Sequence, residues 1–394
     1  MRAEFERKGT WEMSTRISGI MDKKLIRQLW EDSLSYTDRF MDWYFERAYY
    51  PEDTLIEEAG SMVFSSTTIM PQKLNISGFE ASCAYICGEA VPPEYRREPD
   101  ERARLGGVLN EVAQRNCLLS IVVPSSYKFY EKYGWRTAYS YKQYSIKPSD
   151  LPAYEVRGPI TRVKAVSEKT ISDMNDIYMN YMSDKNAYAL RSPKMWSLIL
   201  EDLQQNFGGK CIIVKNTRGE NVGYMLYVVR DRRMGVYEFA YKTRDAYESI
   251  MGFIRAHENQ IDSVEIKAPA NDLSHLDFCD RRDAVRYCPF AMARITDAEK
   301  ALSIASAKLE DSFNIQIVDR QLERNNGTFK LAGAETEETD EAADVITDIG
   351  TLTQLFMGYI DAGEAKRLNL VRGDENLLKK IFDKKNNYIN MLLI

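Results

Sequence analysis

Histidine is almost missing from this chain. His257 and His275 are the only two in 394 residues. The six cysteines (Cys83, Cys87, Cys117, Cys211, Cys279 and Cys288) are scattered along the sequence. Cys83 and Cys87 have the spacing to share a strand face, but no histidine or second cysteine pair lies near them, so no metal site is expected. A Cys–His nucleophile pair has no local signature, and the thiols read as buried and inert. Long apolar runs are also missing. None approaches the roughly 18 residues of a membrane span, so no membrane partner is expected. Residues 1–21 are charged and broken by Gly9 and Gly19. They lack the apolar segment of a signal peptide, which makes the cytoplasm the default location. Basic residues are not in excess either: 53 Lys and Arg face 59 Asp and Glu, a net charge of −6. That speaks against nucleic acid as a partner. It is compatible with a cationic substrate, although most acidic proteins are simply soluble.

What the chain does have is core material, with 44% apolar residues. At about 150 residues per domain its length suits two or three domains. Helical spacing of Trp30, Leu34, Phe40, Trp43, Tyr44 and Arg47 predicts helices over 22–50. Short strands follow at 54–58, 61–70, 73–76 and 79–88, punctuated by Gly60, Pro71 and Gly78. Pro99 suits the first turn of a helix reaching about Asn116, with Leu105, Val108, Leu109 and Val112 on one face. Then come a buried strand at 118–123, a helical turn at 129–133 ended by Gly134, and a last strand at 138–146. Gly158-Pro159 marks a linker. Helices at 171–181, 192–207 and 246–257, with strands at 211–215, 222–230, 236–241 and 263–268, repeat the element order without repeating the sequence. From Pro289 the texture changes. Strands are predicted at 313–319 and 327–331, helices at 301–307, 352–359, 363–368 and 376–382, and a solvated loop over the acidic run Glu335–Glu341. The fold class is α/β (α+β), divided at 22–150, 151–288 and 289–394.

Five stretches carry a family resemblance. Pro93-Glu94-Tyr95-Arg96-Arg97, between a strand and a helix, resembles the "P-x-Y/H-R-R-x-G" signature of GNAT acetyltransferases. Phe129-Tyr130-Glu131-Lys132-Tyr133-Gly134-Trp135 is similar to their "Y-x-x-F-G-F/Y" segment. Val222–Tyr227, Pro289–Ile295 and the region from Ala342 to Gly358 resemble markers of the enhanced intracellular survival acetyltransferases in particular. The resemblance covers roughly residues 22–394. It implies tandem GNAT-like mixed sheets flanked by helices, the second degenerate, and a C-terminal α+β sterol-carrier-like domain. It further implies a homo-oligomer, usually a hexamer, that moves acetyl from acetyl-CoA to amines such as aminoglycosides and lysine side chains.

The resemblance also assigns residues. The strand edge Glu89, Ala90 and Val91 would polarise the thioester carbonyl through backbone N–H groups. Arg96, Arg97, Pro99, Asp100 and Glu101 would form the pyrophosphate loop, with Ser125 also at the cofactor. A helix N-terminus supplies N–H groups and a favourable dipole for this, but the family's glycine is Pro99 here, which has no N–H, and two acids follow it. The same acids also read as an ordinary helix start. A second register, Arg104-Leu105-Gly106-Gly107, also fits an R-x-x-G loop. Tyr130 would be the general acid, a phenol of pKa about 10 protonating a thiolate near 8.5, with Tyr127 and Tyr133 as lesser candidates. The C-terminal carboxylate, here that of Ile394, would be the base, its pKa raised if the apolar tail Met391–Ile394 is buried. Asp38, Asp42, Trp43 and Glu46 are candidates for an amine pocket. They read equally as a solvated helix face with one core aromatic.

Three functions fit: an N-acetyltransferase acting on a small-molecule or peptide amine, a GNAT-derived binding or scaffold protein that no longer holds coenzyme A, and an apolar-ligand carrier using the last domain.

Overall fold

Alternating apolar residues build three mixed sheets, and the helices between them bury apolar stripes on the sheet faces. The computed structural model describes residues 14–60, 62–96, 98–279 and 284–390. The first sheet runs in the order Ser14–Ile17, Thr54–Ala59, Met62–Ile76, Phe79–Ala90, Leu119–Val122, Met292–Ile295, Arg136–Thr137, with Tyr188–Ala189 added to the far end of Met62–Ile76. The second runs Val285–Pro289, Ser140–Ile146, Ser263–Pro269, Arg233–Tyr241, Asn221–Arg230, Lys210–Lys215, Ile160–Val163. The third runs Glu335–Thr339, Gly327–Ala332, Ser312–Val318, Val345–Asp348, Val371–Gly373.

Three sequence expectations change here. The expected last strand of the first unit, Ser140–Ile146, lies in the second sheet between Ser263–Pro269 and Val285–Pro289. Its place in the first sheet is taken by Met292–Ile295, which pairs with Leu119–Val122 from Met292↔Val122 to Ile295↔Leu119. The two sheets have thus exchanged strands. Pro71 does not end a strand, because Met62–Ile76 runs straight through it. Neighbours on that edge cover only residues up to Thr68 and from Leu74 onward, so the proline's missing N–H breaks no ladder bond. The acidic run is not a loop but the edge strand Glu335–Thr339, paired from Thr328↔Thr339 to Ala332↔Glu335. Charge on an exposed edge discourages pairing with another chain.

The helix Glu98–Gln114 buries Leu105, Val108, Leu109 and Val112 completely against the first sheet. That stripe is spaced i, i+3, i+4, i+7, and each such side chain contributes about 1.5–3 kcal/mol. The opposite face shares a core with the third sheet and the helix Ile349–Phe356. A buried ion pair, Arg294 Nη2 to Asp319 Oδ1 at 2.6 Å, ties the exchanged strand to the third unit. Arg294 Nε also donates to Tyr133 O at 2.8 Å, just beyond the short helix Tyr127–Glu131.

Candidate active site

The parallel strands Phe79–Ala90 and Leu119–Val122 pair from Cys83↔Leu119 to Ile86↔Val122. The first then continues to Ala90 without that neighbour, and a wedge opens between the two. On its other side a bulge interrupts the pairing: Ser66 opposes Ala90 and Thr68 opposes Cys87, so Gly88 and Glu89 face Thr67 alone. Gly88 takes φ +57°, and a Cβ there would stand 2.3 Å from Trp30 Cζ2. Only glycine fits both the left-handed backbone and the close indole. Bulges of this kind re-aim the next side chain, and here that side chain is Glu89.

Tyr130, buried on the short helix Tyr127–Glu131, donates its hydroxyl hydrogen to Glu89 Oε2. Among the described residues, the other oxygen, Glu89 Oε1, is buried with no hydrogen-bond partner, and so is Arg104 Nε. Arg104 lies in the helix Glu98–Gln114, close enough to act on both Glu89 and Tyr130. Burial pushes the Glu89 carboxyl above its ordinary range, against the Tyr130 hydrogen bond and the Arg104 charge, while Glu101 adds to the rise. Burial and the Glu89 charge push the Tyr130 phenol far above its own range. A phenol so raised is a reluctant donor to a thiolate while Glu89 is ionised. On the opposite side of the strand the Tyr36 ring packs 4.6 Å from Phe40 and 5.8 Å from Trp30. Burial pushes its phenol up to about 12.

The sequence-predicted residues fall into three groups. Glu89 and Ala90 lie on the part of Phe79–Ala90 that continues beyond its parallel neighbour, and Val91 follows them. Pro99 lies in the first turn of the helix Glu98–Gln114, and Glu101 follows it there. That start also rules out the second register, because Arg104 to Gly107 are inside the helix and form no loop. Arg96 is exposed, and its guanidinium is partly engaged: Nε donates to Val91 O at 2.8 Å and Nη2 to Ser33 O at 3.4 Å. Ser125 is exposed on the connection between Leu119–Val122 and Tyr127–Glu131. Arg97, Ile394 and the side chains of Pro99 and Asp100 lie outside the described residues.

The amine-pocket candidates do not come together. Asp38, Asp42 and Glu46 sit on a solvated face, Asp42 paired to Arg27 at 2.7 Å, and Trp43 is packed in the core. The thiols also divide. Cys83, Cys87, Cys117 and Cys211 are buried, whereas Cys279 is exposed and Cys288 half-buried. Burial pushes the Cys211 thiol up to about 12, which keeps it unreactive.

Sequence reasoning chose Glu89 for its backbone and missed its side chain. It read Arg104 only as the start of an alternative loop and not as a partner of Glu89. The available signal was a lone acid in the apolar stretch Ala84–Val91 and a lone cation four residues before Val108, on the same stripe.

The tail is described as far as Asn390, and Asn387 to Asn390 are buried. Asn387 Nδ2 donates to Ala138 O at 2.9 Å, Tyr388 N to Asn186 O at 3.0 Å, and Arg191 Nη2 to Asn390 O at 3.1 Å. A cavity of about 450 Å³ lies elsewhere, at the opposite end of Leu119–Val122. Asp53, Arg115 and Lys194 stand among its lining residues. Among the described residues no helix is long and apolar enough to cross a membrane, and no group of three or more His, Cys, Asp or Glu could hold a metal.

Residues 19–138 and, separately, 187–295 match models of the acetyltransferase (GNAT) domain. Residues 296–390 match a sterol carrier protein domain. No curated protein matches the chain in sequence. Among solved structures, a conserved protein of unknown function from Enterococcus faecalis, described as a probable N-acyltransferase, superposes with a TM-score of 0.83 at 22% identity, covering 96% of this chain and 99% of that one. A GCN5-related N-acetyltransferase from Anabaena variabilis gives 0.82 at 18% identity, covering 96% and 99%. Eis1 from Mycobacterium abscessus gives 0.77 at 16% identity, covering 97% and 100%. At these identities the likeness is one of fold. Taken with the domain matches, it gives the chain two acetyltransferase (GNAT) domains followed by a sterol carrier protein domain, in a fold similar to that of Eis1.

Proposed function

We propose that the wedge beside Glu89 takes the thioester end of acetyl-CoA and that the chain transfers the acetyl group to a primary amine of aminoglycoside, lysine or polyamine type. The observation that carries this reading is the split of the first sheet. The parallel pairing ends at Ile86↔Val122, so the edge beyond Ile86 is unpaired where a thioester carbonyl needs N–H donors, and the bulge at Gly88 lies on the strand's other side. The start of Glu98–Gln114 would face the pyrophosphate, with Arg97 and the backbone of Asp100 and Glu101 as its donors. Tyr130 would protonate the leaving thiolate. The carboxylate of Ile394 would take the amine proton; the burial of Asn387–Asn390, the last described residues, supports this. The aromatic group of Tyr36, Phe40 and Trp30, across the strand from Glu89, is a better candidate for the amine's entrance than the exposed acids of the helix Asp38–Trp43. The same reading makes the protein a cytoplasmic homo-oligomer, which light scattering on the purified protein would measure.

A second reading, a scaffold that no longer binds coenzyme A, draws on Pro99 and on the engagement of Arg96 with Val91 O. Calorimetric titration with acetyl-CoA separates the two. Micromolar binding, followed by a mass gain of one acetyl on a screened amine, supports the enzyme. A folded protein that does not bind at millimolar acetyl-CoA supports the scaffold.

A further inference from the structure

Glu89 is an odd residue for its place. It follows a bulge that only glycine permits and points into the apolar layer between the first sheet and the helix Glu98–Gln114. A buried carboxylate ordinarily has its oxygens occupied by donors or a cation, because the uncompensated charge is costly. Here Oε2 meets the Tyr130 hydroxyl and Oε1 meets no donor. Arg104 is near but forms no ion pair with Glu89 among the described residues, and its own Nε is unpartnered. A carboxyl with a single phenol partner and a cation held back is arranged to exist in both charge states.

We propose that Glu89 is the proton store behind Tyr130, reloading through their shared hydrogen bond the phenol that protonates the departing thiolate. The inference rests on reading the wedge as the acetyl-CoA site. The amine nitrogen adds to the thioester carbonyl carbon; the C–N bond forms, the C–S bond breaks, and sulfur leaves with the electron pair. Tyr130 passes its hydroxyl proton to sulfur while protonated Glu89 passes its proton to Tyr130 Oη. The products are the amide, the free thiol and a Glu89 carboxylate. Arg104 stabilises that carboxylate until it regains a proton from the one the amine has released. Tyr130 never has to stand as a phenolate, which its buried position would penalise.

Among the described residues, few groups face Glu89. They are Tyr130 from the helix Tyr127–Glu131, Arg104 and Glu101 from Glu98–Gln114, and Cys87 on its own strand; Tyr85 also faces Tyr130. Glu89 acts through Tyr130 and is a positioning residue, while Tyr130 is the group that touches sulfur.

The test compares wild type with Glu89→Gln, which keeps the side-chain volume and a hydrogen bond to Tyr130 but carries no transferable proton. In the infrared difference spectrum of the two unliganded proteins at neutral pH, the wild type should show the carbonyl stretch of a protonated carboxyl. That band should give way to carboxylate as pH rises. With acetyl-CoA and an accepted amine, Glu89→Gln should bind acetyl-CoA within about threefold of wild type and lose about 100-fold in kcat. It should also lose the decline in kcat that wild type shows as Glu89 ionises. A neutral-pH spectrum showing only carboxylate, or a Glu89→Gln protein with wild-type kcat and an unchanged pH profile, overturns the proposal. If acetyl-CoA does not bind the wild type, the acyl-transfer reading fails and the relay fails with it. The infrared band would still report whether Glu89 holds a proton, which separates the two failures.

Discussion

The two acetyltransferase domains carry the same device and use it differently. In the first, Glu89 follows a bulge at the point where Phe79–Ala90 loses its parallel neighbour. In the second, Arg233–Tyr241 pairs with Ser263–Pro269 from Arg233↔Ser263 to Val236↔Ile266, and a bulge at Tyr237 then precedes Glu238. Glu238 is satisfied on both oxygens. Arg191 donates to Oε1 at 2.7 Å and to Oε2 at 2.6 Å, and Tyr224 donates to Oε1 at 2.8 Å. Arg191 also lies over the rings of Tyr178 and Trp196, and its Nη2 holds Asn390 O of the tail. The helix that follows, Arg244–Arg255, is capped by Thr243, whose Oγ1 accepts from Ala246 N at 3.2 Å. The second wedge has thus been closed with a bidentate ion pair and a capped helix, as a structural part would be. Among the described residues the first keeps one oxygen of its glutamate unpartnered and has no ion pair between Glu89 and Arg104, while the Nε of both arginines, Arg104 and Arg191, is without a partner. The contrast separates a carboxylate held by a bidentate ion pair from one whose described partner is a single phenol.

The contrast can be broken most sharply at Glu238. Glu238→Ala leaves Arg191 buried without its anion and should cost about 3–5 kcal/mol in chemical denaturation. Glu89→Leu, by comparison, should leave stability nearly unchanged or raise it, because an apolar side chain replaces a half-satisfied acid. Next in size is Tyr130→Phe. It should lower kcat by about 100-fold in steady-state assays and leave acetyl-CoA affinity nearly unchanged. Gly88→Ala should cost about 2–3 kcal/mol, read by thermal unfolding, through the positive φ and the collision with Trp30.

A pH series sharpens the comparison further. Glu89 has a folded-state pKa above its unfolded value of about 4.3, so the folded protein binds its proton more tightly. The stability it contributes is therefore present in acid and is lost as pH rises from about 4.3 through the folded value. Wild type should lose stability relative to Glu89→Gln over that window in parallel denaturation curves. The smallest effect is expected at Asp42. Its exposed pair with Arg27 should be worth less than about 0.5 kcal/mol, and Asp42→Asn should leave turnover unchanged.

Much of this was legible locally. The stripe Leu105, Val108, Leu109, Val112 repeats at helical spacing, and its burial follows from that period alone. Tyr130 was legible by its place in a short motif before Gly134. What escaped the sequence was non-local. The alternation of Ser140–Ile146 suits either sheet, and only pairing with Ser263–Pro269 decides which one receives it. Glu335–Thr339 was misread because its charges suggested a loop, whereas an edge strand tolerates them on its open side. The Glu89 side chain could not be given a role until the bulge turned it toward a tyrosine on a different element. Asp42 and Glu46 looked like an amine pocket because charge alone does not say whether a helix face meets a cavity or solvent.

The exchanged strands also set a timetable for synthesis. A chain leaves the ribosome from its N-terminus, and domains ordinarily fold in that order as they emerge. The first sheet cannot close that way. Between Leu119–Val122 and Arg136–Thr137 it waits for Met292–Ile295. Until that segment appears, Leu119–Val122 has an open edge, and the second sheet forms around Ser140–Ile146 in the meantime. The sheet that holds the wedge beside Glu89 is therefore completed only when most of the protein has been made. A nascent chain halted before residue 292 should present an unpaired strand where the finished molecule has a buried one.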